Sequence, residues 1–166
     1  MSRRTPSPSD STRTAPLAAS TLPRPIGTST RSRTTAPTGL VVMILLDTNY
    51  LIRALIAGTD EAARVSAWID SGEDLCTASV SWYEFLCGPV DDEGIDLMRA
   101  STADRILPFT AAAAQESARL FNAVGRRRQL RVDAMIAATA ILAGAHLATE
   151  NAEDFSPFVP EGLRLT

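Results

Sequence analysis

The sequence predicts a three-layer α/β/α fold, in which a parallel sheet of four to five strands lies between two layers of helices. From Leu40 onward, short apolar runs alternate with longer segments whose apolar residues recur every three or four positions. This alternation is typical of strands joined by crossover helices. The first run, Leu40–Leu46, is apolar at every position, as expected of a strand buried on both faces.

The other elements follow in chain order from the same two patterns. Apolar residues at helical spacing, such as Val65, Trp68 and Ile69, predict amphipathic helices. The predicted helices are Thr48–Ala57, Asp60–Ser71, Ser81–Cys87, Asp91–Ser101, Ala111–Arg128 and Asp133–Gly144. Short apolar runs between them predict the remaining strands, at Leu75–Ala78, Asp104–Pro108, His146–Thr149 and Leu163–Thr166.

Residues 1–39 differ in composition from the rest of the chain. They hold six of the ten prolines and six arginines against one acid, Asp10, and they show no hydrophobic period. This composition predicts a disordered tail, because it cannot bury enough apolar area to fold. An organelle transit peptide and an upstream extension ahead of a true start at Met43 are the other interpretations. Residues 40–166 are predicted to form one domain.

Composition excludes several classes of site. The chain has 166 residues and no lysine among its 16 basic residues, which excludes Schiff-base chemistry and P-loop phosphate binding. A single histidine, His146, excludes a His-rich zinc site, and two cysteines give no disulfide framework. No apolar run approaches the ~18 residues that cross a bilayer. We therefore expect a cytoplasmic protein with no membrane contact.

The predicted domain is acidic. Residues 40–166 carry ten arginines and eighteen acids, a net charge of minus eight. Such a charge disfavours general nucleic-acid binding, so any contact with RNA is expected to be local and to need a cation.

Three acids occupy comparable places in the predicted fold. Asp47 ends the first strand, Glu84 lies in the helix after the second strand, and Asp133 opens the helix before the fourth. Asn151 and Asp154 follow the fourth strand. Loops at the carboxyl ends of parallel strands form the usual ligand crevice, so the fold is expected to bring these groups to one edge of the sheet.

Each acid also has a purely structural interpretation. Asp47 and Asp133 could be helix N-caps, and Ser81-Trp-Tyr-Glu84 matches a capping box. Asp133 argues against this interpretation, because it heads a stripe of apolar or small residues at helical spacing: Ile136, Ala137, Ala140, Ile141 and Gly144. Carboxylates ~4 Å apart repel by about 4 kcal/mol at an effective dielectric near 20, so a cluster indicates a divalent cation. All-oxygen ligation suits Mg²⁺, with Mn²⁺ as the alternative.

The sequence resembles the PIN-domain ribonucleases, and within them the VapC-type toxins of bacterial toxin–antitoxin pairs. The resemblance covers about Met43 to the C-terminus. Four segments carry it: Leu45-Leu-Asp47-Thr-Asn49, Trp82-Tyr-Glu84-Phe-Leu, Arg131-Val-Asp133-Ala-Met-Ile-Ala-Ala-Thr139-Ala and Leu147-Ala-Thr-Glu-Asn151-Ala-Glu-Asp154-Phe155.

The resemblance implies a PIN-like fold and Mg²⁺-dependent cleavage of RNA that leaves a 5′-phosphate and a 3′-hydroxyl. It assigns the metal to Asp47, Glu84 and Asp133, with Asn151 as the fourth catalytic position, where it would orient a water. Thr48, Asn49, Thr149 and Asp154 would assist the ligands or the substrate. It also implies a cognate antitoxin, docked on the helices Asp60–Ser71 and Ser81–Cys87, and a homodimer.

Arginines before Asp133 have two interpretations of equal weight. Arg126, Arg127, Arg128 and Arg131 could complement the dipole at the end of the preceding helix. They could equally hold RNA phosphates beside the metal.

Three other functions are alternatives to the nuclease. A haloacid-dehalogenase-type phosphohydrolase needs a second Asp where this chain has Asn49, and a Rossmann module needs a glycine-rich turn after the first strand, which Asp47-Thr-Asn-Tyr lacks. A catalytically degenerate PIN domain, acting only as an RNA- or protein-binding module, stays open as the alternative.

Overall fold

Five parallel strands form the centre of the fold. They are β1 (Met43–Leu46), β2 (Asp74–Ala78), β3 (Ile106–Leu107), β4 (His146–Ala148) and β5 (Arg164–Leu165). The computed structural model describes residues 41–166, and the strand order across the sheet is β3-β2-β1-β4-β5. Every pairing is parallel, which confirms the predicted sheet.

Seven α-helices connect and flank these strands in the described residues. They are α1 (Thr48–Ala54), α2 (Asp60–Ser71), α3 (Ser79–Cys87), α4 (Asp92–Ser101), α5 (Ala111–Ala123), α6 (Arg131–Ala143) and α7 (Ala152–Phe155). Two 3₁₀ segments, Arg128–Leu130 and Ser156–Glu161, complete the described structure.

Separate hydrophobic cores fill the two faces of the sheet. Along β1, Leu45 points into one core, formed mainly with α5 and α6, whereas Ile44 and Leu46 point into the other, formed with α1 to α4. Successive residues of a strand face opposite sides, so both sets must be apolar when both faces are covered. This explains the unbroken apolar run of the first strand and confirms the three-layer arrangement.

The chain reverses its direction across the sheet at β1. From β1 it proceeds outward through β2 to β3, then returns to the other side of β1 to form β4 and β5. Ligands of open α/β sheets bind outside the carboxyl ends of the strands at such a switch point. The ends of β1 and β4 therefore mark the expected position of the site.

Several predicted boundaries were wrong, and the backbone gives the reasons. The predicted helix Ala111–Arg128 stops at Ala123, because Gly125 and Arg126 both adopt positive φ, 79° and 57°, which ends a helix. Arg126 to Arg128 therefore do not lie in the last turn of α5. Helix α3 begins at Ser79 with Ala78 as its N-cap, so the predicted capping box between Ser81 and Glu84 is wrong.

Two expectations fall partly or wholly outside the described residues. The predicted tail, residues 1–39, lies outside them, as does the first residue of the predicted first strand. Among residues 41–166, no helix is both long and apolar enough to span a bilayer.

Candidate active site

Asp47 takes the place of a helix cap without acting as one. It has extended backbone angles at the N-cap of α1, but its side chain accepts no capping hydrogen bond. The carboxylate instead accepts a hydrogen bond from the Thr149 hydroxyl at 2.9 Å. This contact joins the ends of β1 and β4, at the switch point of the sheet.

Burial gives Asp47 unusual electrostatics. The residue is only 4% exposed. Burial raises the pKa of the Asp47 carboxyl, repulsion from Glu84 adds to the rise, and the hydrogen bond from Thr149 opposes it. A buried carboxylate with one side-chain partner is costly to ionise, so the position favours a cation nearby.

Glu84 is held beside Asp47 by the residue that follows Asp47 in the chain. The Thr48 hydroxyl donates a hydrogen bond to Glu84 Oε2 at 2.7 Å. Thr48 opens α1 and Glu84 lies in α3, so the bond ties the two helices together at the carboxyl edge of the sheet. The half-buried carboxylate keeps a second oxygen for another partner.

Asp133 lies in the first turn of α6, a helix that contacts α3. It is not the N-cap, as one interpretation predicted, because the helix starts two residues earlier, at Arg131. Burial is the largest of the effects that together raise the pKa of Asp133 to about 6. Repulsion from three other carboxylates adds to the rise, in order of size those of Asp154, Asp47 and Glu84. Four acids from distant parts of the chain therefore share one electrostatic environment.

Asn151 and Asp154 form a pair after β4. The Asn151 amide donates to Asp154 Oδ2, and the backbone N–H of Asn151 donates to the Thr149 hydroxyl at 3.0 Å. Thr149 thereby links Asn151 to Asp47. Asp154 acts on Asp133 through its charge, and its side chain is committed to Asn151.

The chemistry of these side chains suits a hard divalent cation, but their spacing suits it less well. Carboxylate oxygens are the ligands that Mg²⁺ and Mn²⁺ prefer. Within residues 41–166, however, no three His, Cys, Asp or Glu side chains lie close enough together to hold an ion between them. Mg²⁺ usually takes one or two carboxylates directly and keeps several waters, so it does not require three of them in close contact. The residues fit an ion held in that way.

Among the described residues, two that were predicted to assist the site have side chains that form no hydrogen bond with its acids. The Arg131 guanidinium lies 5.9 Å from the centre of the Phe121 ring, which directs it towards α5. Asn49 is exposed in the first turn of α1, and no hydrogen bond joins its side chain to the acids described above.

One buried polar cluster near the site was not predicted. Glu61 on α2 is 2% exposed, and its Oε1 accepts a hydrogen bond from Arg53 at 2.7 Å, while Oε2 has no partner in the described residues. The bond from Arg53 lowers the pKa of Glu61. A signal was present, because Glu61 heads the helical stripe that continues with Val65 and Trp68. The cluster supports α1, on which Asp47 depends.

Thr149→Val is expected to weaken the site through Asp47. Without the hydroxyl, the buried carboxylate loses the bond that favours its charged form, so the pKa of Asp47 rises further. Groups that support a metal ligand typically contribute about 10–100-fold to affinity or activity. If Asp47 holds Mg²⁺, we expect a loss of that order in the affinity for Mg²⁺, measured by calorimetry. Thr149→Ser keeps the hydroxyl and is expected to retain most of the affinity, and equal affinities of the two variants would exclude this role.

Comparisons with known proteins identify the fold. The family model of the PIN domain matches residues 44–156. No curated protein sequence is similar enough to the chain to count as a match.

Several solved structures share the architecture. FitAcB from Neisseria gonorrhoeae is 24% identical with a TM-score of 0.55, over 75% of this chain and 97% of that chain. VapBC2 from Rickettsia felis, bound to a DNA fragment from their promoter, is 18% identical with a TM-score of 0.59, over 75% and 98%. A toxin–antitoxin complex from Klebsiella pneumoniae is 24% identical with a TM-score of 0.55, over 68% and 90%. At these identities the likeness concerns the fold.

Proposed function

Because this chain belongs to the PIN-domain family, we propose that it is a Mg²⁺-dependent endoribonuclease and the toxin of a type II toxin–antitoxin pair. One observation supports the proposal: Asp47, bonded to Thr149, and Glu84, bonded to Thr48, lie at the switch point of the sheet, near enough to Asp133 for their charges to raise its pKa. Repelling carboxylates at a ligand-binding edge are what a metal-dependent phosphodiesterase needs and what a stable core avoids.

Each residue has a distinct part in the proposed reaction. Asp47, held by Thr149, would be the fixed ligand, and Glu84, held by Thr48, would be the second. Asp133 would complete the negative charge that attracts the ion. When bound, Mg²⁺, or Mn²⁺ in its place, supplies charge to the scissile phosphate and acidifies the attacking water.

Asn151 is proposed to orient rather than to ligate. Its amide donates to Asp154, so its carbonyl oxygen is free to accept a hydrogen bond from a water. The neutral amide adds no repulsion to an already acidic edge. Asn151 would therefore position the water, and the three acids would supply the negative charge.

RNA cleavage by the full chain tests the proposal. Structured and single-stranded RNAs would be incubated with the purified protein in Mg²⁺, in Mn²⁺ and in EDTA, and the product ends identified. We expect cleavage with either metal, 5′-phosphate ends, and none with chelator. Cleavage that persists in EDTA would exclude the metal mechanism.

A degenerate PIN domain that only binds RNA or protein is the second candidate. It is favoured by the acid side chains of residues 41–166, no three of which are close enough to hold an ion. Binding of RNA without cleavage at any metal concentration would support this candidate over the nuclease.

The partner proposed for this protein is a small antitoxin, as in the Klebsiella complex whose fold it shares. Exposed apolar side chains would provide its dock: Ile69 on α2, Leu86 on α3, Ile52 on α1 and Ile56 in the turn after α1. Phe85, Pro89 and Val90 help to line a cavity of about 290 Å³ beside Ile52 and Ile56. A homodimer in the cytoplasm completes the proposal. Co-expression with the product of the adjacent reading frame, followed by light scattering, tests both assemblies.

A further inference from the structure

A second groove borders the candidate active site at Glu84. It has a volume of about 290 Å³ and lies between α3 and the start of α6. Its lining is formed by Ser79, Val80, Tyr83, Glu84, Val132 and Met135. Glu84 lines the groove and also belongs to the candidate site, so an occupant of this groove lies beside one of the three acids.

Tyr83 is the most unusual member of the lining. It is 68% exposed, although its neighbour Trp82 is buried at 9%. An aromatic ring that the fold leaves in solvent contributes nothing to the core, but it offers a flat face to a planar ligand. Val132 and Met135 face the same groove from α6 and would close the other side of such a ligand.

Charge decides which part of a nucleic acid suits the groove. Glu84 is its one charged lining residue, and a carboxylate repels phosphate. A base, in contrast, has an uncharged flat face that can stack on Tyr83 and pack against Val132 and Met135. Unpaired bases stacked on aromatic side chains are the usual basis of single-strand recognition.

Resting on the proposed nuclease function, we propose that this groove binds an unpaired nucleobase adjacent to the scissile phosphate, stacked on Tyr83. The groove then makes the enzyme select single-stranded or looped RNA. It also compensates for the acidic surface, because base stacking adds affinity without needing positive charge.

Steady-state cleavage of short single-stranded RNAs by the full chain tests the groove. Tyr83→Ala is expected to raise KM about tenfold, from the usual contribution of one base–aromatic stack, with a smaller change in kcat. Tyr83→Phe keeps the ring and is expected to behave as the parent protein. Leu142→Ala removes an exposed apolar side chain from the same helix as Val132, outside this groove, and is the matched control.

Abasic substrates identify the base itself. In a series with one abasic position per strand, one position should cost the parent protein about tenfold in kcat/KM and cost Tyr83→Ala almost nothing. If the loss from the abasic position and the loss from Tyr83→Ala are additive, the subsite is overturned. Cleavage of all strands by Tyr83→Ala at the parent rate would also overturn it. The nuclease proposal would stand in both cases. If the parent protein cleaves no RNA, both proposals fall together. If Tyr83→Ala converts a dimer to a monomer in light scattering, the groove is a contact between copies and the subsite is overturned.

Discussion

Asp133→Asn is expected to remove RNA cleavage and, at the same time, to stabilise the metal-free protein at pH 7. The carboxylate of Asp133 is half-buried and is repelled by Asp154, Asp47 and Glu84. An amide of the same shape relieves that repulsion but supplies no negative charge to attract a cation. Supporting groups at metal sites contribute about 10–100-fold, so losing an acid of the site is expected to exceed ~100-fold in kcat/KM.

In the parent protein, the contribution of the Asp133 carboxyl to stability depends on pH. The pKa of Asp133 is about 6 in the folded protein against a reference value of 3.8, so the folded state binds the proton more tightly than the unfolded state. This contribution is fully present below pH ~4 and is lost as pH rises through about 6. Removing the carboxyl should therefore raise the free energy of unfolding at pH 7, by on the order of 1 kcal/mol after solvent screening.

Urea unfolding in EDTA at pH 5 and pH 7 measures this effect, with Asp92→Asn as the matched control. Asp92 is an exposed acid in the first turn of α4, and such acids stabilise a helix by about 0.3–1 kcal/mol through its dipole. Its replacement should therefore act in the opposite direction. If Asp133→Asn also destabilises the protein, then the Asp133 carboxylate mainly stabilises the start of α6, and repulsion from the other acids is not the dominant effect.

Much of the fold could be predicted because its signals are local. The apolar run of β1 and the helical period of α2 each fall within a dozen residues, and α2 was predicted with its observed bounds. The end of α5 was missed although Gly125 marks it, because the arginines that follow favour a helix and outweighed one glycine. Local preference and backbone geometry conflicted there, and the glycine prevailed.

The interior of the site could be predicted only in outline. The fold class, together with the position of each acid relative to its strand, was sufficient to predict that Asp47, Glu84 and Asp133 lie towards one edge of the sheet. The hydrogen bond from Thr149 to Asp47 joins residues 102 positions apart, and no spacing rule indicates which of several hydroxyls reaches a given carboxylate. Tertiary packing sets such contacts, and it also determines that Trp82 is buried while Tyr83 is exposed.

Asp47→Asn is expected to abolish the stabilisation of the protein by Mg²⁺. A ligand that binds only the folded state stabilises it by about 2.7 kcal/mol at 100 times its Kd. The asparagine amide oxygen can still accept the bond from Thr149, so the fold is retained while the buried charge is lost. We expect the Mg²⁺-dependent rise in the melting temperature to disappear, together with more than ~100-fold of the cleavage activity.

Asp91→Asn provides the matched control for this change. Asp91 is also at an N-cap, of α4, but its side chain does cap, accepting from the Gly94 N–H at 2.9 Å, and asparagine caps equally well. This variant should keep the full response to Mg²⁺. In the parent protein the response should shrink below pH 6, where Asp133 takes up a proton. An undiminished response in Asp47→Asn would mean that the ion binds elsewhere, and the buried carboxylate at the switch point would then need another explanation.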